Sequence, residues 1–336
     1  MDPFTQGIVG TTAAQAIAKK DKLITASLIG LLAGLAPDID IFIRSESDPL
    51  LFLEYHRHFT HSLIFIPFGA LICSLVFYYT FAQRLSLSFR QTFVYSFFGY
   101  ATHGIIDSFT SYGTLLYWPF SHDRVAWNTI SVIDPLFTIP IFIFLVFAIF
   151  KGNKTFTVYA IVWVLVYQTV AYSQKNRAEE IILNHAQKTG HNVVTLEAKP
   201  SFGNIVVWKV IYSTNDKYYV NAIRLGLDHK IYHGESIDKL SIKKSFRWLD
   251  NKSQQAIDLE KFRWFSNGYL AVDKDESNKV YDIRFSTVPN QVEGLWGIRL
   301  DENKNMYEHV EYITNRKRDS ASFKIILDMI FDNYEN

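Results

Sequence analysis

Apolar residues run almost unbroken through five stretches of the first half of the chain: 23–43, 63–82, 92–111, 133–150 and 155–173. At 1.5 Å per helical residue, each is long enough to cross a hydrocarbon core of roughly 30 Å, some only with polar help at one end. A sixth segment, 5–18, begins behind Pro3 and stops at Lys19, Lys20 and Lys22. It is short for a full span and reads as a half-buried or tilted helix packed on the others. The loops holding Lys19, Lys20 and Lys22, then Arg84 and Arg90, then Lys151 and Lys154, fall on one side when the five spans alternate. Short cytoplasmic loops retain basic residues, so that side is predicted to be cytoplasmic. Loops 44–62 and 112–132 and everything after Tyr172 then lie outside.

Beyond Gln174 the pattern changes. A polar, helix-like stretch at 177–188 precedes period-two runs at 205–212 and 217–224, with later runs at 268–272, 280–285 and 295–300, separated by Asn, Asp, Gly and Pro. Alternation of this kind predicts a sheet with one face buried. The architecture expected is a polytopic α-helical membrane bundle of five to six helices over 1–173. A soluble, mainly antiparallel β (α+β) domain follows over 174–336, on the extracytoplasmic side. No internal repeat or low-complexity segment interrupts either half.

The overall composition, 49% hydrophobic with a formal net charge of +1 over 336 residues, averages these two unlike halves. It gives no electrostatic case for a nucleic-acid partner. Cys73 is the only cysteine and sits inside an apolar run, where it forms no internal disulfide and reads as a small buried hydrophobe. Met1-Asp2-Pro3-Phe4 lacks a basic n-region, which argues against a removed signal peptide; the apolar segments themselves direct insertion.

Ionisable groups at membrane depth cost several kcal/mol unless solvated or paired, so each one inside these segments is a functional candidate. Ala36-Pro37-Asp38-Ile39-Asp40 closes the first long span; Pro37 disfavours helix at Ala36, and the resulting turn is expected to bring the two carboxylates together. His56-Arg57-His58-Phe59-Thr60-His61-Ser62 offers three imidazoles, preferred ligands for zinc and related metals. The plainer alternative is a solvated basic loop, with Thr60 or Ser62 capping the next helix. In His103-Gly104-Ile105-Ile106-Asp107 the i, i+4 spacing sets imidazole and carboxylate on one helix face, as a metal pair or as a structural hydrogen-bonded pair. Gly104 leaves room for a close neighbour. The loop from Tyr112 to Arg124 and Asp134-Pro135 form the last group; its aromatics suit the interfacial belt, and Arg124 is the candidate to grip an anionic substrate bidentately. With the orientation above, Asp38, Asp40, His56, His61, His103, Asp107, Arg124 and Asp134 all fall at outer span ends. A His/Asp set of that size suits one to three divalent ions.

These residues resemble the LexA-regulated inner-membrane metal-dependent hydrolase family, the YdjM-like proteins. The resemblance is carried by Met1-Asp2-Pro3-Phe4-Thr5-Gln6-Gly7, Pro37-Asp38-Ile39-Asp40, the segment from His56 to Ser62, His103-Gly104-Ile105-Ile106-Asp107, Tyr112-Gly113-Thr114, Trp118-Pro119-Phe120-Ser121 and Ile133-Asp134-Pro135. It covers roughly the first 140 residues, and the C-terminal half adds nothing to it. That family is in turn similar to the zinc-dependent phospholipase C and single-strand nuclease superfamily of all-helical phosphoesterases. The resemblance implies that His56, His61, His103, Asp107, Asp38 and Asp40 are metal ligands, with Asp134 a weaker candidate. Many family members carry His at the position of Gln6, and an amide is a poorer zinc ligand than imidazole.

The reading that follows is a membrane-bound metal-dependent hydrolase of the bacterial inner membrane. It would use zinc, or else manganese, to cleave a phosphoester of a lipid or envelope metabolite at the extracytoplasmic face, with membrane lipids as neighbours. Asp38 or Asp40 is the expected base and Arg124 the group that orients phosphate. A small-ion transporter fits less well, since transport sites sit near the bilayer midplane. A non-enzymatic envelope protein with a structural metal site and a partner-binding β domain is the alternative, favoured if the site is closed with four ligands.

Overall fold

The computed structural model describes residues 1–315 and 320–334. In it the chain forms two units: Met1–Phe42, Tyr55–Ser173 and Phe202–Asn204 make the first, and Ile43–Glu54, Gln174–Ser201 and Ile205–Asn336 the second. The helices of the first half are α1 (Pro3–Ile17), α2 (Leu23–Leu35), the short α3 (Leu51–Tyr55), α4 (Ile66–Phe77), α5 (Phe89–Phe109), α6 (Pro135–Lys151) and α7 (Thr155–Lys188).

Local signals set their ends. Asp2 caps α1, accepting from the Thr5 amide at 3.0 Å, with Pro3 at the first helical position. Ser88 and Gln91 close a reciprocal capping box at the start of α5. Asp134 caps α6, accepting from the Phe137 amide at 3.2 Å.

α1 is buried over most of its length, so the short sixth segment of the sequence is the inner helix of the unit and not a lipid-facing one. Its polar residues bond inward: Gln15 donates to Ser27 Oγ and accepts from Thr157 Oγ1, both at 2.8 Å. α1, α2 and α5 cross through glycine, since a Cβ at Gly10 would lie 2.4 Å from the Gly30 carbonyl oxygen. Small residues at such crossings let helix backbones approach closely in an apolar medium. α4 and α7 do the opposite and turn Phe68, Ile72, Val76, Val158, Val162 and Leu165 outward, as lipid contact requires.

Among the described residues, three stretches are long and apolar enough to cross a membrane: Lys20–Phe42, Leu63–Ala82 and Thr155–Lys188. The five to six read from the sequence are therefore met by three on length and composition. α6 is apolar but only 17 residues long, and α5, at 21 residues, carries Arg90, His103 and Asp107. α7 joins two segments that the sequence reading kept apart: the apolar 155–173 and the polar 177–188 are one helix of 34 residues.

The second unit is built on two antiparallel sheets. The first orders β1 (Thr195–Pro200), β2 (Val207–Ser213), β3 (Lys217–Leu225) and β4 (His229–Tyr232), with β5 (Ser236–Asp238) also pairing β3. After the short α8 (Ile242–Ser245) and α9 (Gln254–Phe265), the second sheet orders β6 (Leu270–Val272), β7 (Lys279–Asp282), β8 (Trp296–Arg299) and β9 (Glu311–Thr314), and α10 (Ser320–Ile330) follows. All described pairings are antiparallel. Ile211, Tyr218 and Val220 of the first sheet meet Ala271, Ile283 and Val292 in a shared core. β2 is buried at every position, so both of its faces are covered and not the single face that its alternation predicts.

Candidate metal centre

Below Leu35 the chain tightens into a 3₁₀ helix, Ala36–Phe42, at the Pro37 that disfavours α geometry before it. This turn aims Asp38 and Asp40 at opposite nitrogens of one imidazole. Asp38 Oδ1 lies 3.4 Å from His61 Nε2, and Asp40 Oδ2 lies 3.1 Å from His61 Nδ1. α5 contributes His103 and Asp107 from one face. His103 Nε2 is 3.0 Å from His61 Nε2 and 3.2 Å from Asp38 Oδ1, while Asp107 Oδ2 is 3.4 Å from His61 Nε2 and 3.8 Å from His103 Nε2.

Asp38, His61, His103 and Asp107 thus converge on one point from three separate segments. The bonds on the far side of each imidazole assign its tautomer. His103 Nδ1 donates to the Gly34 carbonyl at 2.6 Å, and His61 Nδ1 faces Asp40 and Thr60 Oγ1, the latter at 3.0 Å. Both Nε2 atoms therefore point at each other and at two carboxylates, a place that either a metal ion or a proton on His61 fills. Acceptors facing acceptors repel unless a cation sits among them. For zinc held at about 2.0–2.2 Å by nitrogen and oxygen, tetrahedral ligand atoms lie about 3.3–3.6 Å apart, and the separations found, 3.0–3.8 Å, bracket that value. The donor set fits a divalent ion. The surplus of acceptors acts equally on the proton: burial disfavours a charged His61, yet Asp107, Asp38 and Asp40 push its pKa up to about 10.

A second group, Asp38, Asp40 and His56, shares Asp38 with the first. His56 Nδ1 is 2.9 Å from Asp40 Oδ1, and burial holds its pKa below the usual imidazole value. Solvent reaches the two groups at Asp38, whose side chain is 26% exposed, and at His56, 19% exposed; the other four side chains are sealed.

Arg57, which the sequence reading passed over, holds the centre together. Its backbone is left-handed, φ 64°, which lets its amide donate to Asp40 Oδ2 at 2.9 Å while its guanidinium Nε reaches Asp107 Oδ2 at 2.9 Å. The Met1 amine and Gln6 Nε2, the latter at 2.6 Å, donate to Asp107 Oδ1, and Gln6 Oε1 is buried without a hydrogen-bond partner. Gly104 sets the fit of α5 against the ligand loop, because a Cβ there would lie 2.0 Å from the His61 carbonyl oxygen.

Two residues singled out by sequence lie elsewhere. Asp134, besides capping α6, accepts from Tyr167 Oη at 2.6 Å and belongs to neither group. The sequence signal for that role was Asp before Pro at a helix start, which serves a cap as well as a ligand. Arg124 donates to the Gly113 carbonyl at 2.8 Å and lies 5.3 Å from the centre of the Tyr112 ring, the ring that Arg57 also approaches, at 4.8 Å. His58 turns to Trp118, with ring centres 5.7 Å apart.

The family described as YdjM inner membrane protein matches residues 1–178, so the match includes every residue of both groups. The chain is also 32% identical over 111 residues to the uncharacterized protein YfhP of Bacillus subtilis (strain 168), a stretch that covers 33% of each protein. The match thus spans about a third of that relative's length. No solved structure matches the chain.

Proposed function

This chain belongs to the YdjM inner membrane protein family, and from that premise we propose that it is a membrane-bound metal-dependent hydrolase that cleaves a phosphoester of a lipid or an envelope metabolite. The observation that carries the proposal is the convergence of four His and Asp ligand atoms within 4.8 Å of one another, sealed except on the side of Asp38. His61 Nε2, His103 Nε2, Asp107 and Asp38 would hold one divalent ion, zinc or manganese, and Asp38, Asp40 and His56 a second. An ion so held lowers the pKa of water and polarises a phosphoryl oxygen.

The protein's own groups do the rest. Gly34 and Asp40 fix the tautomers that leave both Nε2 atoms free to coordinate. The substrate phosphoryl group enters where Asp38 and His56 meet solvent. His56 lies against Asp40 there, and Asp38 or Asp40 is the group that would accept a proton. Arg57 and Gly104 keep the ligand loop seated on α5. Arg124, held by Gly113 and near the Tyr112 ring, is the cation that would orient phosphate.

In this reading the chain spans the inner membrane five to six times, with residues 174–336 outside. The excess of Lys and Arg in loops on one side supports that orientation. The resemblance to the zinc-dependent phospholipase C superfamily supports a phosphoester substrate, and the membrane level of the ligands favours a lipid one.

The test is elemental analysis of detergent-purified full chain beside His103→Ala and His61→Ala, with phosphodiester and phosphomonoester turnover followed on the same samples. Near-stoichiometric metal that both substitutions remove, with metal-dependent turnover, is the expected result. Metal without turnover on either ester class would move the centre to a structural role in a non-enzymatic envelope protein, and wild-type protein without metal would overturn the proposal.

A further inference from the structure

The second unit carries an apolar surface beside the polar part of α7, residues 174–188. Gln174 and Arg177 directly follow the apolar part of that helix, and both grip the tip of the β3–β4 hairpin. Gln174 Nε2 donates to the Leu225 carbonyl at 3.4 Å, and the Arg177 guanidinium donates to the carbonyls of Gly226 at 2.7 Å and Leu227 at 3.1 Å. At 1.5 Å per residue, Arg177 stands about 6 Å along the helix from Ser173. The headgroup layer on each side of a bilayer is of that thickness, about 5–7 Å. A hairpin tied there is tied at headgroup level.

The tip presents Leu227, whose relative exposure is 101%. A polar turn residue would be the ordinary choice at such a place. The end of α10 joins it: Arg224 Nε donates to the Ile330 carbonyl at 2.9 Å, Tyr232 Oη to the Met329 carbonyl at 3.1 Å, and Lys230 pairs with Asp332 at 2.9 Å. α10 buries Ile326 and Met329 on one face and leaves Phe323, Leu327 and Phe331 exposed at i, i+4 and i+8 on another, with Phe331 68% exposed. Arg177, Arg224, Lys230 and Lys324 flank the surface, with the acidic Asp228, Asp328 and Asp332 among them. Apolar side chains rimmed by Lys and Arg are the composition of an element that lies in the interface of an anionic membrane.

We propose that the β3–β4 hairpin tip and the outer stripe of α10 rest on the bilayer that α7 is built to cross, with Leu227 and Phe331 seated among the headgroups of anionic phospholipid. The occupant is lipid because the tip is bound to the residues that leave the apolar stretch, and the bilayer is what surrounds that stretch.

The experiment uses the full chain with Cys73→Ala as background. Leu227→Cys, Phe331→Cys and, as reference, the exposed Lys252→Cys are each labelled with a fluorophore. Each is placed in nanodiscs of phosphatidylethanolamine and phosphatidylglycerol holding one copy, with or without spin-labelled lipid. Quenching by the lipid label of roughly twofold or more at both patch positions and not at Lys252, weakening when phosphatidylglycerol is omitted, is the expected result. Patch labels that behave as the reference does overturn the proposal. So do labels that become shielded only in discs holding two copies, which would make the occupant a second chain.

Discussion

Both units bury charge, and they do so in opposite ways. In the second unit Arg284, Asp258 and Lys199 are buried and matched. Arg284 holds Asp282 through Nε and Nη2, the closest contact 2.7 Å, and a further bond to the Phe265 carbonyl completes the set. Asp258 accepts from the Val310 amide and faces His309 Nδ1, both at 3.0 Å. Lys199 pairs with Glu197 at 2.7 Å. In the first unit Asp38, Asp107, His61 and His103 turn their ligand atoms to one another, although Asp107 also takes the Arg57 guanidinium and the Met1 amine. Matched pairs are structural, because removing either partner strands the other. A surplus of acceptors in a sealed place is a demand for a cation. The difference teaches that burial of charge alone does not mark a site; the arithmetic of donors against acceptors does.

Arg284→Ala tests the matched side hardest. It strands Asp282 in the core and should lower the stability of the β unit by about 3–5 kcal/mol. The loss would be read as a lower denaturant midpoint of the sheet signal in the full chain, with metal content unchanged. An unmoved midpoint would break the contrast. Asp40→Asn tests the other side: the amide keeps the shape but no longer holds His61 as a carboxylate does. Metal affinity measured against a chelating dye should fall ~10–100-fold while the ion still binds at saturation.

Lys209 sharpens the comparison, for it is the buried cation in the second unit held by neutral oxygens, those of Ser286 and Gln291, both at 2.7 Å. Burial, with Lys199 opposite it in the register, pushes its pKa down to about 7 from 10.5. Between those values the unfolded chain binds the extra proton. Stability of the β unit therefore rises with pH across that window, by up to about 1.4 kcal/mol per pH unit, and the cost is fully present below it. Lys209→Met should remove that slope from denaturation midpoints taken as a pH series. The effect furthest from the centre belongs to Asp134→Ala, which loses the α6 cap at about 1 kcal/mol, strands the buried Tyr167 hydroxyl at about 1–3 kcal/mol more, and leaves metal content untouched. Loss of metal in that variant would return Asp134 to the centre.

Much of this was legible in the sequence for stated reasons. The His/Asp cluster could be read because each ligand pair is local: i, i+4 on α5, a proline-driven turn at Asp38, two imidazoles five apart at His56 and His61. Arg57 could not, because its role depends on a left-handed backbone that nothing in its chemistry announces. The bond from Gln6 to Asp107 joins residues 101 positions apart, beyond the reach of any local pattern. In the second unit the runs with strong alternation or full burial gave β2 and β3. The later runs gave β6, β7 and β8, while β1, β4, β5 and β9 were not read from the sequence. The apolar and polar parts of α7 looked like separate elements because hydropathy changes at Gln174 while the helix does not.

Arg57 has one more consequence. It touches Asp107 through its side chain and Asp40 through its backbone, so the loop that delivers His56 and His61 is docked by the very carboxylate that faces His61 and His103. Asp107 is therefore two residues in genetic terms, a ligand and a latch, and its substitutions will report both losses as one. Additivity should fail between the two positions: once Arg57 is gone, Asp107 has less left to lose, and the double variant should fall short of the sum of the singles.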